Sequence, residues 1–167
     1  GGKSLHLASL MENKGKIVSL DIHEWKLDLL KERARRNGIF IIETRVIQSN
    51  KVIKRLKESA DRVLLDVPCS GLGVLKRNPD TKWKISLQSI EDVIKEQAEI
   101  LDNYNEMVKP GGRLIYSTCS IFPNENEKQI EVFLVRNRNY KLTDQKLILP
   151  TDNGFDGFFM ASLERKS

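Results

Sequence analysis

The run Arg62-Val63-Leu64-Leu65-Asp66-Val67-Pro68-Cys69-Ser70-Gly71 constrains the fold more than any other stretch of the chain. Val63, Leu64 and Leu65 form a short apolar run, which predicts a strand covered on both faces. Asp66 ends the run. Pro68 has no N–H to give to a sheet, and Ser70-Gly71 permits a sharp turn. An acid and a thiol therefore stand just past the carboxyl end of a strand, where open α/β sheets bind ligands and do chemistry.

Gly112-Arg113-Leu114-Ile115-Tyr116-Ser117-Thr118-Cys119-Ser120 repeats the design. The chain has only 2 cysteines, and each follows a predicted strand and precedes a serine. A free cysteine is more often a small buried hydrophobe. Two core thiols, however, have no reason to fall at two strand ends in matching contexts.

The remaining segments alternate strand with helix. Gly1-Gly2-Lys3-Ser4 opens a helix with Leu5, Ala8, Leu10 and Met11 near one face, ended by Asn13-Lys14-Gly15. A glycine pair at a helix start suits close approach of a ligand to the backbone and the helix N-terminus. Lys16–Asp21 reads as a strand ending in an acid. Asp21 could hold the ribose hydroxyls of a nucleoside cofactor, or it could simply cap the next helix. That helix, 24–37, places Leu27, Leu30 and Ala34 inward and Lys31, Arg33, Arg35 and Arg36 outward, with Asn37-Gly38 as its stop. A strand over 40–46 and a weak helix over 51–58 follow; the lysines and arginine of the weak helix read first as a solvated face.

Residues 72–87 read as a long irregular loop carrying Lys76, Arg77, Lys82, Lys84 and Trp83. Cations mixed with an aromatic suit phosphate contact and base stacking, although Pro79-Asp80 and Trp83 could equally pin the loop by packing. A helix over 88–108 ends at Lys109-Pro110-Gly111-Gly112. After the Cys119 strand, Pro123–Glu127 opens another helix with Ile130, Phe133 and Leu134 inward. Residues 157–163 read as a last strand. Such alternation predicts an α/β fold with a mostly parallel sheet.

A length of 167 residues predicts one domain with a real core. No apolar run approaches membrane-spanning length, and no signal-peptide pattern opens the chain. Two thiols without a disulfide framework predict a reducing, cytoplasmic setting. A formal charge of +5 and a pI near 9.2 favour polyanion partners such as nucleic acid. His6 and His23 have no metal-ligand spacing with the cysteines, so no metal is expected.

Asp66-Val67-Pro68-Cys69-Ser70-Gly71, Arg77-Asn78-Pro79-Asp80-Thr81-Lys82-Trp83, Lys109-Pro110-Gly111-Gly112, Tyr116-Ser117-Thr118-Cys119-Ser120, Pro123-Asn124-Glu125-Asn126-Glu127 and Asp156-Gly157-Phe158-Phe159 together resemble the Sun/Fmu-type RNA cytosine-5 methyltransferases, in order and spacing along nearly the whole chain. The resemblance implies a Rossmann-like sheet, mostly parallel with an antiparallel last strand, and S-adenosylmethionine as cofactor. It implies cytosine in RNA as substrate, most often ribosomal RNA. By position it makes Cys119 the nucleophile and Cys69 the thiol that helps release the product. Asp66 would lie near the cofactor and the target base, Asp21 at the cofactor ribose, and Gly1, Gly2 and Lys3 at the end of the cofactor-binding turn. Relative to the family pattern, the chain starts inside that turn, so the first strand and the upstream RNA-binding region are expected to be missing. The family's acid near the adenine has no counterpart at Val46-Ile47-Gln48-Ser49, where Glu43 is the nearest preceding acid.

The chemistry agrees with the residue types. Cytosine C5 is a poor nucleophile until a thiolate adds at C6, which requires an activated thiol, a partner at N3 and a base. Methylation of an exocyclic amine needs no covalent thiol. The competing readings are a non-catalytic RNA- or cofactor-binding fragment, transfer RNA as the substrate, and a DNA cytosine methyltransferase, which would use Cys69 for attack.

Overall fold

The structure is a computed structural model that describes residues 1–151 and 154–167. The chain divides into two compact units, Gly1–Val52 and Ile53–Ser167.

The first unit contains α1 (Gly2–Leu10), β1 (Ile17–Asp21), α2 (Glu24–Arg36) and β2 (Ile42–Val46). β1 and β2 pair in parallel from Ile17↔Ile42 to Asp21↔Val46. As its spacing predicts, α2 buries Leu27, Leu30 and Ala34. Arg33, Arg35 and Arg36 fall in its last turn, where the helix dipole favours cations. Gly38 follows at φ +63, and Ile39 N–H reaches back to Ala34 C=O at 2.9 Å, which closes the helix end. In α1 the inward face differs from expectation. Ala8 is fully buried but Leu10 is 70% exposed, because two residues along a helix is a turn of about 200°, which puts Leu10 on the side opposite Ala8.

α3 (Asn50–Lys54) crosses the boundary between the units. The second unit continues with β3 (Ala60–Asp66), α4 (Thr81–Lys84), α5 (Leu87–Tyr104), β4 (Val108–Thr118), α6 (Glu127–Arg136), β5 (Tyr140–Ile148) and β6 (Phe158–Arg165). Its sheet order is β3-β4-β6-β5. β3 and β4 are parallel, and β6 runs antiparallel to both β4 and β5. β3, β4 and β5 thus share one direction and β6 alone is reversed. The core gathers Leu114, Tyr116, Leu163 and Phe159 from the sheet with Leu101, Ile130 and Phe133 from α5 and α6.

Three local readings change. Val63 and Leu65 are buried, but Leu64 is 37% exposed. β3 is an edge strand of its sheet, and alternation turns Leu64 to the opposite face. Lys109–Gly112 does not end a helix. α5 stops at Tyr104, and residues 109–112 bulge out of β4, since Ala60 pairs with Val108 but Arg62 with Arg113. Gly111 adopts φ +75 there. The loop over 72–87 contains a short helix, α4, and its Trp83 is 81% exposed, so Trp83 does not pin the loop.

Candidate active site

The register of β3 and β4 builds the site. Asp66 pairs with Ser117, so the segments leaving the two parallel strands emerge side by side. Val67 N–H donates to Ser117 C=O at 3.2 Å. Two residues further on, the sulfurs of Cys69 and Cys119 stand 2.9 Å apart. Both cysteines are free and half-buried. The backbone N–H of Cys119 points at the Cys69 sulfur at 3.3 Å. Asp66 is exposed beside them, and the Ser117 hydroxyl lies 3.4 Å from its Oδ1.

This arrangement makes the two thiols unlike. The S–H of Cys69, donated to the Cys119 sulfur, outweighs burial and the nearby Asp66 and Glu125 carboxylates and holds Cys119 below its ordinary 9.0, at about 7. The same hydrogen bond, with burial, pushes Cys69 far up. A thiol with a lowered pKa keeps a larger thiolate fraction as pH falls, and the thiolate is the reactive form. Iodoacetamide alkylation followed by peptide mass spectrometry should therefore modify Cys119 first, with its rate rising through about pH 7. Cys69→Ala, which removes the S–H donor, should move that rise upward. Faster labelling of Cys69 would refute the assignment.

Backbone hydrogen bonds fix the Cys119 turn. Gly73 N–H donates to Cys119 C=O at 2.9 Å, and Gly157 N–H donates to Gly73 C=O at 2.7 Å. A Cβ on Gly73 would lie 2.2 Å from the Gly157 oxygen and 2.7 Å from the Cys119 oxygen. Only glycine permits that approach. Below the turn, Thr118 Oγ1 donates to Asn126 Oδ1 at 2.6 Å, and Asn126 Nδ2 donates to Ser120 C=O at 2.9 Å. Glu125, its side chain fully buried, takes the serine after each cysteine. The matched Cys-Ser pairs were the visible signal in the sequence; the acid that joins them reads there only as a favourable charge at a helix start.

The remaining predicted residues belong to the first unit. Asp21 ends β1, its Oδ1 accepting from His23 N–H at 2.8 Å and its Oδ2 lying 3.8 Å from Lys26 Nζ. It thus leads into α2, and its half-exposed carboxylate stands at the carboxyl end of a strand. Ser4 Oγ and Ser19 Oγ, 3.0 Å apart, tie the first turn of α1, with Gly1, Gly2 and Lys3, to the same strand. A Cβ on Gly1 would meet Leu30 at 2.7 Å, whereas the space above Gly2 is open. An acid at a strand end beside an open, glycine-lined helix start fits a nucleoside cofactor. Glu43 sits inside β2, engaged by Lys16 and Arg45 at 2.5 Å each, which hold its carboxyl below the usual range. Among the described residues no group of three or more His, Cys, Asp or Glu could hold a metal ion, and no helix is long and apolar enough to cross a membrane.

Known proteins share this sequence and fold. The protein of Bacillus subtilis named "Probable ribosomal RNA small subunit methyltransferase B" is 37% identical over 99% of this chain, which covers 41% of that protein. The solved structure of PH0851 is 38% identical with a TM-score of 0.94, over 99% of this chain and 40% of that one. The structure of NSun6 from Pyrococcus horikoshii with SFG is 29% identical with a TM-score of 0.88, over 100% of this chain and 46% of that one. The chain thus spans about two fifths of the length of the curated relatives it matches. The family model described as 16S rRNA methyltransferase RsmB/F matches residues 1–164, and the chain belongs to that family.

Proposed function

We propose that residues 1–167 act as a methyltransferase catalytic domain that methylates cytosine C5 in RNA, with ribosomal RNA as substrate and S-adenosylmethionine as methyl donor. One observation carries the reading. Two unlike thiols stand 2.9 Å apart beside an exposed Asp66, at the carboxyl ends of adjacent parallel strands. The names of the relatives and the SFG in the NSun6 structure support the substrate and the donor.

S-adenosylmethionine, when bound, supplies an electrophilic methyl group. Gly1, Gly2, Lys3 and Asp21 of the first unit would hold it; Asp66, in the second unit, is the acid assigned to the base. The Cys119 thiolate adds to cytosine C6, forming the S–C6 bond and moving the ring electrons toward C5. N3 takes up a proton from solvent, and Asp66, at the N3 edge, accepts its hydrogen bond; N3 returns that proton as the product forms. C5 then carries the electron pair that accepts the methyl group. In the last step the C5 proton leaves to a base, the S–C6 bond breaks and its electron pair returns to the Cys119 sulfur. Cys69 suits that last step. Once Cys119 is a thioether it no longer holds the Cys69 proton as a thiolate would, so Cys69 gives that proton to solvent more readily than in the free protein, and the resulting thiolate takes the C5 proton.

The base must be presented out of its stack. Lys76, Lys82, Lys84 and the exposed Trp83 lie on the segment that follows Cys69; Arg77 is matched by Asp156 at 2.7 Å, and Lys84 more loosely by the exposed Asp80 at 3.3 Å. If these three lysines touch phosphates, their neutralisation should lower the slope of log affinity against log salt by about 0.7 for each lost contact on single-stranded RNA. An unchanged slope would make them a solvated surface. The function itself is tested by giving the full-length protein RNA and DNA oligonucleotides with labelled S-adenosylmethionine. Label in 5-methylcytidine from RNA supports it; label on another atom, or in DNA alone, rejects it.

A further inference from the structure

We propose that Glu125 is a positioning residue that sets the separation of the two thiols by clamping the serine that follows each of them. The role rests on the reaction proposed above, but its geometry is independent of it. Ser70 Oγ and Ser120 Oγ both donate to Glu125 Oε1, at 2.5 and 2.6 Å. Ser70 N–H donates to Oε2 at 2.8 Å, and Gln97 Nε2 to the same oxygen at 3.1 Å. The two serine oxygens are 3.2 Å apart.

A carboxylate is an acceptor-only group with about four lone-pair sites, and here four donors approach it. It has no exposed surface, and among the described residues no lysine or arginine forms a salt bridge with it. Burying a carboxylate is costly, and an apolar side chain of similar volume often serves stability as well. What an apolar side chain cannot do is hold two hydroxyls from two separate loops at one point. Those hydroxyls belong to the residues next in sequence to Cys69 and Cys119. The clamp is itself held. Gln97 Nε2 also donates to Pro68 C=O at 2.9 Å, just before Cys69. Tyr116 O–H, fully buried, donates to the Glu125 carbonyl at 2.7 Å. Glu125 therefore acts on the thiols through their loops. If the clamp opens, Cys69 no longer donates to Cys119.

The sign of the effect separates this role from a purely electrostatic one. The groups bearing on the Cys119 sulfur are the Cys69 thiol, its own backbone N–H, and the Asp66 and Glu125 carboxylates; Cys69 is also met by the backbone N–H groups of Gly71 and Cys119. The charge of Glu125 alone raises Cys119, so removing only that charge would lower the pH at which Cys119 alkylates. Opening the clamp removes the larger, opposite effect of the Cys69 hydrogen bond.

The test compares the unmodified protein with Glu125→Gln, whose NH2 replaces one carboxylate oxygen and so leaves either the two serine hydroxyls or the Ser70 N–H and Gln97 Nε2 without an acceptor, and with Ser70→Ala/Ser120→Ala, which keeps the carboxylate and removes its hydroxyl donors. Two readouts are taken without RNA or cofactor: the pH midpoint of Cys119 alkylation by iodoacetamide, and the rate of Cys69–Cys119 disulfide formation. In the second, oxidised glutathione accepts the two electrons and two protons. The expected result in both variants is a midpoint shifted upward from about 7 toward 9.0, with disulfide formation slowed about 10-fold or more, because proximity sets an intramolecular rate. Should Glu125→Gln fail to fold, the double serine variant decides alone. A midpoint that stays or falls, with an unchanged disulfide rate, overturns the proposal. A protein that meets both expectations yet never methylates RNA would keep the clamp and lose the function proposed for it.

Discussion

Cys69→Ala in the full-length protein is expected to accumulate a covalent protein–RNA complex that survives a denaturing gel, whereas Cys119→Ala should give neither complex nor methylated product. The two roles have opposite signatures because they act on opposite ends of the reaction. Attack at C6 requires the Cys119 sulfur. Without it no bond to the base forms, and C5 stays a poor nucleophile. Removing Cys69 leaves attack and methyl transfer possible but takes away the base for the C5 proton, so elimination stalls with the S–C6 bond intact. Trapping should depend on S-adenosylmethionine. Loss of the Cys69 hydrogen bond also raises the Cys119 pKa, so the complex should build up faster at higher pH. Each change removes a single sulfur from a half-buried position, a modest loss of packing. A complex formed by Cys119→Ala and not by Cys69→Ala would reverse the assignment. No complex from either, where the unmutated protein methylates RNA, would leave covalent catalysis by these thiols without support.

Gly73→Ala should be the most damaging small substitution in the second unit. The added Cβ would meet the Gly157 oxygen at 2.2 Å and the Cys119 oxygen at 2.7 Å. Both are backbone atoms of residues hydrogen-bonded to Gly73, Cys119 through its carbonyl and Gly157 through its N–H, so no flexible side chain can swing away. Overpacking of this kind costs about 3 kcal/mol at the upper end of its usual range, a fall in Tm of about 6–12 °C for a chain of this size. Because the clash lies on the Cys119 carbonyl, alkylation of Cys119 should also lose its low pH midpoint. Gly2→Ala, whose Cβ would meet nothing within 4 Å, is the matched control and should change Tm little. An unaltered Tm in Gly73→Ala would mean that the loop can shift freely and that the backbone stack is not what holds the Cys119 turn.

Much of the frame was legible in the chain. The i, i+3, i+7 spacing of Leu27, Leu30 and Ala34 marks the inner face of α2, and the two strand-end cysteines mark adjacent carboxyl ends. β5 was not legible. Lys141, Thr143, Asp144, Gln145 and Lys146 give it neither an apolar run nor clean alternation, because it is the edge strand and its pairing with β6 supplies what its composition does not. Lys109-Pro110-Gly111-Gly112 reads locally as a helix break. That it is a bulge inside a strand depends on the register against Ala60 and Arg62, which no local rule contains. Glu125 was hidden for the same reason. Its partners Ser70, Gln97 and Ser120 come together only when the second unit folds.

The proposed C5 methylation of cytosine in ribosomal RNA can be read in cells by bisulfite mapping of ribosomal RNA with and without the gene, since methylation at C5 protects cytosine from conversion. The expected result is a protected cytosine in the small-subunit RNA that becomes fully convertible when the gene is removed, and whose protection is restored by the unmutated gene but not by one encoding Cys119→Ala. An identical pattern of protection in both cell types, or full restoration by Cys119→Ala, would contradict it.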